Sequence, residues 1–111
     1  MKRIEYSPDA ADKLRTINRA VLIEYGSSKA KEIIGKITKA IRGLCEFEEK
    51  GASVEGMFGI RTDYRYIYVM RNYVFYEIQS ESIRIINIYN EREDFIWLLF
   101  GLEDPQDFTE L

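Results

Sequence analysis

Residues 72–101, NYVFYEIQSESIRIINIYNEREDFIWLLFG, constrain the fold of this chain more than any other stretch. Val74, Tyr76 and Ile78 alternate with Tyr73, Phe75 and Glu77, the period of a strand with two distinct faces. Residues 79–82 form a polar turn and residues 83–90 a second β-branched run, so two adjacent strands are expected. Residues 95–102 are very apolar and read as a short closing helix over the core, with Phe95, Leu98 and Leu99 facing inward. The tail 103–111 is acidic and is assigned no function.

Upstream, residues 64–70 make a further strand, with Tyr64, Tyr66, Tyr68 and Met70 on one face and Arg65, Ile67 and Val69 on the other. A tight turn at Met70-Arg71-Asn72 joins it to residues 73–78. At the front, residues 3–6 suggest a short first strand, after which Ser7 is a good N-cap, Pro8 a good first helical residue and Asp9 a favourable charge at the helix start. Leu14, Ile17, Val21 and Tyr25 recur at helical spacing, and Gly26 closes that helix.

Ser27 or Ser28 would cap a second helix with the stripe Ala30, Ile33, Ile34, Ile37, Ile41 and Leu44, running to Gly51 or just short of it and antiparallel to the first. Gly35 and Gly43 inside it suggest close approach by a neighbour, since each lowers helix propensity by about 1 kcal/mol relative to alanine. Residues 51–59 hold three glycines and no period, and read as a mobile loop between the helical and sheet halves. The expected fold is α+β: one domain over 1–111, two N-terminal antiparallel helices packed on a small antiparallel sheet, and a short C-terminal helix.

The order of these pieces resembles the RelE/ParE family of bacterial toxins. The matching positions are Tyr73, Tyr76, Ile85, Ile88, Arg92, Asp94, Leu99, Phe100 and Gly101 in the back half, Arg61 and Arg65 within IRTDYRYIYV, and RIEYSPDAADKL at the front. Each motif is short and degenerate; their order along nearly the whole chain gives the resemblance its weight. It implies the toxin of a type II pair, neutralised by a cognate antitoxin whose C-terminal segment wraps it. A homodimer or a toxin–antitoxin complex is the implied assembly.

Within that family ParE-like members poison DNA gyrase without being enzymes, and RelE-like members cut messenger RNA on the ribosome. For RNA cleavage the resemblance would place Arg61, Arg65 and Arg92 on phosphate, with Tyr89 or a carboxylate such as Glu91 moving protons. The ribonuclease branch, however, is rich in Lys and Arg at this surface, often with a histidine near Asn90 and an arginine where Tyr73 stands. Here Glu91 and Glu93 flank Arg92 and would repel an incoming anion. For a protein target the candidates are Tyr64, Tyr66, Tyr68, Tyr73, Arg92 and Trp97, because aromatics and arginine anchor protein interfaces without neutralising phosphates. ParE-like action is the preferred expectation; RNA cleavage, or an inactive module that only binds antitoxin or itself, are the alternatives. Arg61, Arg65 and Arg92 also have a plain alternative role in ion pairs with Asp63, Glu77 or Asp94.

Composition agrees with a folded globule of 111 residues, 46% hydrophobic and 32% charged. Sixteen Lys and Arg against nineteen Asp and Glu give a net charge of −3, without the global basic footprint of a phosphate-gripping protein. Five arginines in the sheet half, Arg61, Arg65, Arg71, Arg84 and Arg92, could still form a local patch. With no histidine and one cysteine, Cys45, read as a small buried hydrophobe, neither imidazole triads nor a thiolate metal site is expected, and no cofactor is inferred. The N-terminus lacks the apolar core of a secretion signal and no stretch is long enough to span a bilayer, so the expected location is the cytoplasm, with no membrane partner.

Overall fold

A computed structural model of the chain describes residues 1–101. The tail assigned no function therefore lies outside the described residues, as does the side chain of Trp97. Strand β1 (Arg3–Tyr6) leads into α1 (Pro8–Tyr25) and α2 (Ser27–Gly43); β2 (Ala52–Ser53) and α3 (Val54–Phe58) follow, then β3 (Arg65–Val69), β4 (Asn72–Ile78), β5 (Ser82–Asn90) and α4 (Phe95–Phe100). The α+β architecture is as expected, with the strands in the order β1-β5-β4-β3-β2.

Ser7 caps α1 as its sequence suggests. Its hydroxyl accepts from the Ala10 N–H at 3.0 Å and donates to the Ile86 carbonyl at 2.6 Å, so the cap also ties the helix start to β5. Gly26 ends the helix at φ 93°, a conformation that L side chains rarely adopt. It also serves as N-cap of α2 without a side-chain bond, and Ser27 is the first helical residue rather than the cap.

The apolar stripe of α2 packs with α1 against one sheet face, where Ala10, Ile37, Ile41, Leu44, Val74, Tyr76, Ile83, Ile85 and Ile88 form the main core. A register shift between Phe75 and Tyr76 pairs Phe75 with Asn87 but Tyr76 with Ile85. That bulge reverses the facing of the rest of β5, so Ile85 and Ile88 share the main core while Tyr89 packs on the opposite face.

Several expectations need correction. The sheet is mixed, because β1 runs parallel to β5 with Ile4 opposite Ile83 and Tyr6 opposite Ile85. Helix α2 stops at Gly43 instead of continuing towards Gly51. Gly35 and Gly43 have open space where a Cβ would sit, so close packing does not explain them. Gly51 is the glycine that packing requires: a Cβ there would lie 2.6 Å from both the Tyr66 carbonyl oxygen and the Tyr76 hydroxyl.

Residues 51–59 are not a structureless loop but contain β2 and α3. The Ser53 hydroxyl accepts from Gly56 N–H at 3.1 Å and Gly59 closes α3 at φ 71°; five helical residues are too few for a period to register. Met70 leaves the tyrosine face. With Arg71 it adopts positive φ, 50° and 64°, in the hairpin turn, and it packs beside the main core instead. Cys45 is only partly buried.

Candidate functional site

The sheet face away from α1 and α2 carries the tyrosines singled out above. Tyr64, Tyr66 and Tyr73 are half-buried there around Phe75, Tyr89 and Val54, with Phe95, Leu99 and Phe100 of α4 laid over them. Ring centroids stand 4.7 Å apart for Tyr73 and Phe95, 5.4 Å for Tyr66 and Tyr73, and 6.2 Å for Tyr64 and Phe100. Phe58 of α3 meets Tyr66 at 5.8 Å and Phe95 at 5.6 Å. This face is therefore a second, aromatic core closed largely by α3 and α4, and the tyrosines do not stand open as a set.

Tyr68 is the exception, 51% exposed. Its hydroxyl donates to Glu91 Oε2, and Arg71 lies 3.7 Å from Glu91 Oε1. The carboxylate at the end of that bond raises the Tyr68 pKa, since ionising the phenol would break the bond and set two negative charges together. Glu91, a candidate proton carrier, is thus engaged on both oxygens.

Tyr89 is only 5% exposed, and its oxygen accepts from Asn87 Nδ2 at 2.9 Å. Burial pushes its pKa up, partly opposed by the bond from Asn87. The Lys13 ammonium stands 4.3 Å from the centre of its ring and pairs with Glu93 at 3.3 Å.

The three candidate arginines have different surroundings. Arg65 donates from Nε to the Gly51 carbonyl at 3.2 Å and from a terminal nitrogen to the Glu49 carbonyl at 3.3 Å. Those two bonds hold the segment after α2 against β3. Arg61 and Arg92 are exposed, and among the described residues neither side chain makes an ion pair or hydrogen bond; at Arg92 only the backbone N–H is held, by Asn90 Oδ1 at 3.0 Å. Among the described residues these arginines form no ion pair with Asp63 or Glu77. Trp97 lies in α4. Among the described residues no group of three or more Asp, Glu or Cys side chains could hold a metal, and no helix is long and apolar enough to cross a membrane.

One concave feature escaped the sequence reading. A groove of about 400 Å³ runs between the second half of α1 and the end of the sheet, floored by Ile17, Ala20, Val21, Ile33, Met70 and Ile88. Lys13 with Glu93 and Arg71 stand on its rim, and the exposed Tyr25 is part of its lining. Helix α1, 18 residues long, measures about 27 Å, and its apolar stripe continues past the point where the sheet can cover it. The available signal was a stripe at Ile17, Val21 and Tyr25 in a helix whose only fully buried residue is Ala10.

A family model described as "ParE toxin of type II toxin-antitoxin system, parDE" matches residues 4–95, most of the chain. The chain belongs to the ParE toxin family. Of ten matching chains of solved structures, one titled "Chromosomal ParDE TA system from P. aeruginosa" superimposes with a TM-score of 0.68 at 17% identity, covering 81% of this chain and 96% of that one. At that identity the likeness is one of fold. No curated protein matches the sequence. The ParE match runs from Ile4 to Phe95, so it takes in the sheet apart from Arg3 and the groove-forming residues but only the first residue of α4.

Proposed function

We propose that this ParE-family chain is a toxin held inactive by a cognate antitoxin and that, once free, it acts by binding a protein target such as DNA gyrase. The observation that carries the preference over RNA cleavage is the state of Tyr89. A general acid or base must reach the reacting oxygens, and Tyr89 is buried, with its oxygen accepting from Asn87 inside the aromatic core. Arg65, another member of the cleavage set, is committed to two backbone carbonyls. A net charge of −3 argues the same way, since binding an RNA chain rests on neutralising phosphates.

In this reading an apolar segment of the antitoxin occupies the groove along α1. Tyr68, Arg92 and Arg61 are the exposed members of the candidate set and face the target, with Trp97 a further contact. The rearranged surface an interface needs is small, because the groove is already formed and its floor is apolar.

Two assays on the purified toxin separate the branches. Inhibited gyrase supercoiling with intact transcripts is the expected result. New transcript 5′ ends that appear on expression and vanish in Arg61→Ala or Arg92→Ala would establish the ribonuclease instead. The fold should not suffer in either variant, so lost activity would report function. Whether the adjacent gene encodes a small protein that copurifies with this chain tests the antitoxin part.

A further inference from the structure

The two edges of the sheet are unequal. On one side β2 is two residues long and followed at once by α3, so it offers little to pair with. On the other side β1 presents four residues. The Arg3 N–H bonds the Glu81 carbonyl at 3.3 Å and the Ser7 N–H the Ile85 carbonyl at 3.0 Å, so the odd-numbered backbone groups of β1 point at β5. Alternation then turns the N–H and C=O of Ile4 and Tyr6 outward. Among the described residues none of these four groups has a hydrogen-bond partner.

Side chains along this edge carry a definite pattern. Ile4 and Tyr6 pack beside the main core on the helix face. Arg3 and Glu5 lie on the other face, 3.5 Å apart, and Glu5 also meets Arg84 at 3.7 Å. A charged edge of one sign would repel a second copy of itself. Here the signs alternate, and the order is its own complement when reversed.

We infer that β1 is a self-pairing edge, on which a second copy of this chain docks its own β1 antiparallel about a two-fold axis through Ile4. Only registers that bring outward-facing residues opposite one another can form the ladder, which leaves few choices. With the axis at Ile4, Ile4 opposes its own copy, Lys2 opposes Tyr6, and Arg3 opposes Glu5 of the second copy, twice. The Arg3 and Glu5 pairs fall at the narrow positions where side chains approach closest.

Moving the axis to Glu5 sets Glu5 against Glu5. Moving it to Arg3 sets Arg3 against Arg3. Moving it to Tyr6 brings in Pro8, which has no N–H to donate and starts α1. Charge and backbone therefore select one register, and the interface is isologous, giving a continuous sheet through two molecules. Five residues per side make a small contact, so the dimer is weak and depends on concentration.

A charge-reversal set tests this by sedimentation velocity on the full chain up to millimolar concentration. Wild type should shift from monomer towards dimer. Arg3→Glu sets two carboxylates against each other across the axis, and Glu5→Arg sets two guanidiniums against each other. Each should weaken the dimer at least about tenfold, since two attractive pairs become two repulsive ones. Mixed in equal amounts, the two variants complement each other at every position and should restore the dimer, as should the double variant R3E/E5R. Matched thermal unfolding curves would show that the monomers stay folded.

A wild-type chain that remains monomeric throughout would overturn the inference. So would a dimer untouched by both single variants, which would place self-association on another face, or a mixture that fails to rescue.

Discussion

Replacing Tyr76 with phenylalanine removes one oxygen from the centre of the molecule and should cost more stability than its size suggests. The Tyr76 hydroxyl accepts from the Gly51 N–H at 3.0 Å and donates to the Glu48 carbonyl at 2.7 Å, pinning the segment that follows α2. Gly51 is buried, so its N–H would lose its partner without gaining water, a penalty of about 1–3 kcal/mol. The Glu48 carbonyl belongs to a half-exposed residue that water can reach, and its loss adds about 1 kcal/mol or less. The ring itself stays, so no cavity larger than one oxygen opens.

The expected destabilisation is about 1–4 kcal/mol, a large share of the roughly 5–15 kcal/mol that holds a domain of this kind together. Urea unfolding followed by circular dichroism, at constant slope, measures it. Arg65→Met should add to the loss less than its own effect in wild type, because both side chains hold the same segment through Gly51 and are coupled. A loss below about 0.5 kcal/mol would refute the argument, since it would mean that water or a small shift satisfies Gly51.

Glycine-to-alanine substitutions should have opposite signs at two positions. Gly51→Ala drives a methyl to 2.6 Å from the Tyr66 carbonyl oxygen and should cost about 1–3 kcal/mol, whereas Gly35→Ala, in open space within α2, should gain up to about 1 kcal/mol; unfolding midpoints that move the same way would contradict this. Val21→Glu places a charge on the groove floor at a half-exposed site, so affinity for the proposed antitoxin should fall at least about tenfold in calorimetry while thermal stability changes little; unchanged affinity would remove the antitoxin from that groove. Burial raises the pKa of Tyr76 and of Tyr89 above the ordinary 10.0, so the folded chain retains protons that the unfolded chain releases. Stability is unaffected by these groups below that pH and falls as pH rises through about 10, visible as a lower urea midpoint at about pH 10.5 than at about pH 8. A midpoint that holds or rises would show that the phenols ionise freely in the native state.

The candidate site was less legible than the fold. Tyr64, Tyr66 and Tyr73 share one face, as alternation requires, but nothing local announced that α3 and α4 of the same chain would lie over them. Arg65 stood in a tyrosine-rich strand and invited a phosphate-binding role; its partners are carbonyls 14 and 16 residues away. Tyr89 faces the aromatic core because a bulge interrupts β5, and a run of β-branched residues gives no sign of where such a bulge falls. The groove arises from a mismatch between the reach of α1 and the cover the sheet provides, so neither element contains it alone.

What the sequence determined by itself was each element that covers enough residues to repeat: the cap at Ser7 and Pro8, the break at Gly26, the stripes of the two long helices and the alternation of β3 and β4. Capping and periodicity are settled within one or two turns of chain, where neighbours in sequence are neighbours in space. The parallel seat of β1 beside β5, the tight contact at Gly51 and the closing of the aromatic face were decided only by tertiary structure. Each joins groups far apart along the chain, 79 residues for Ser7 and Ile86 and 25 for Gly51 and Tyr76, and their meeting depends on how all the layers pack together.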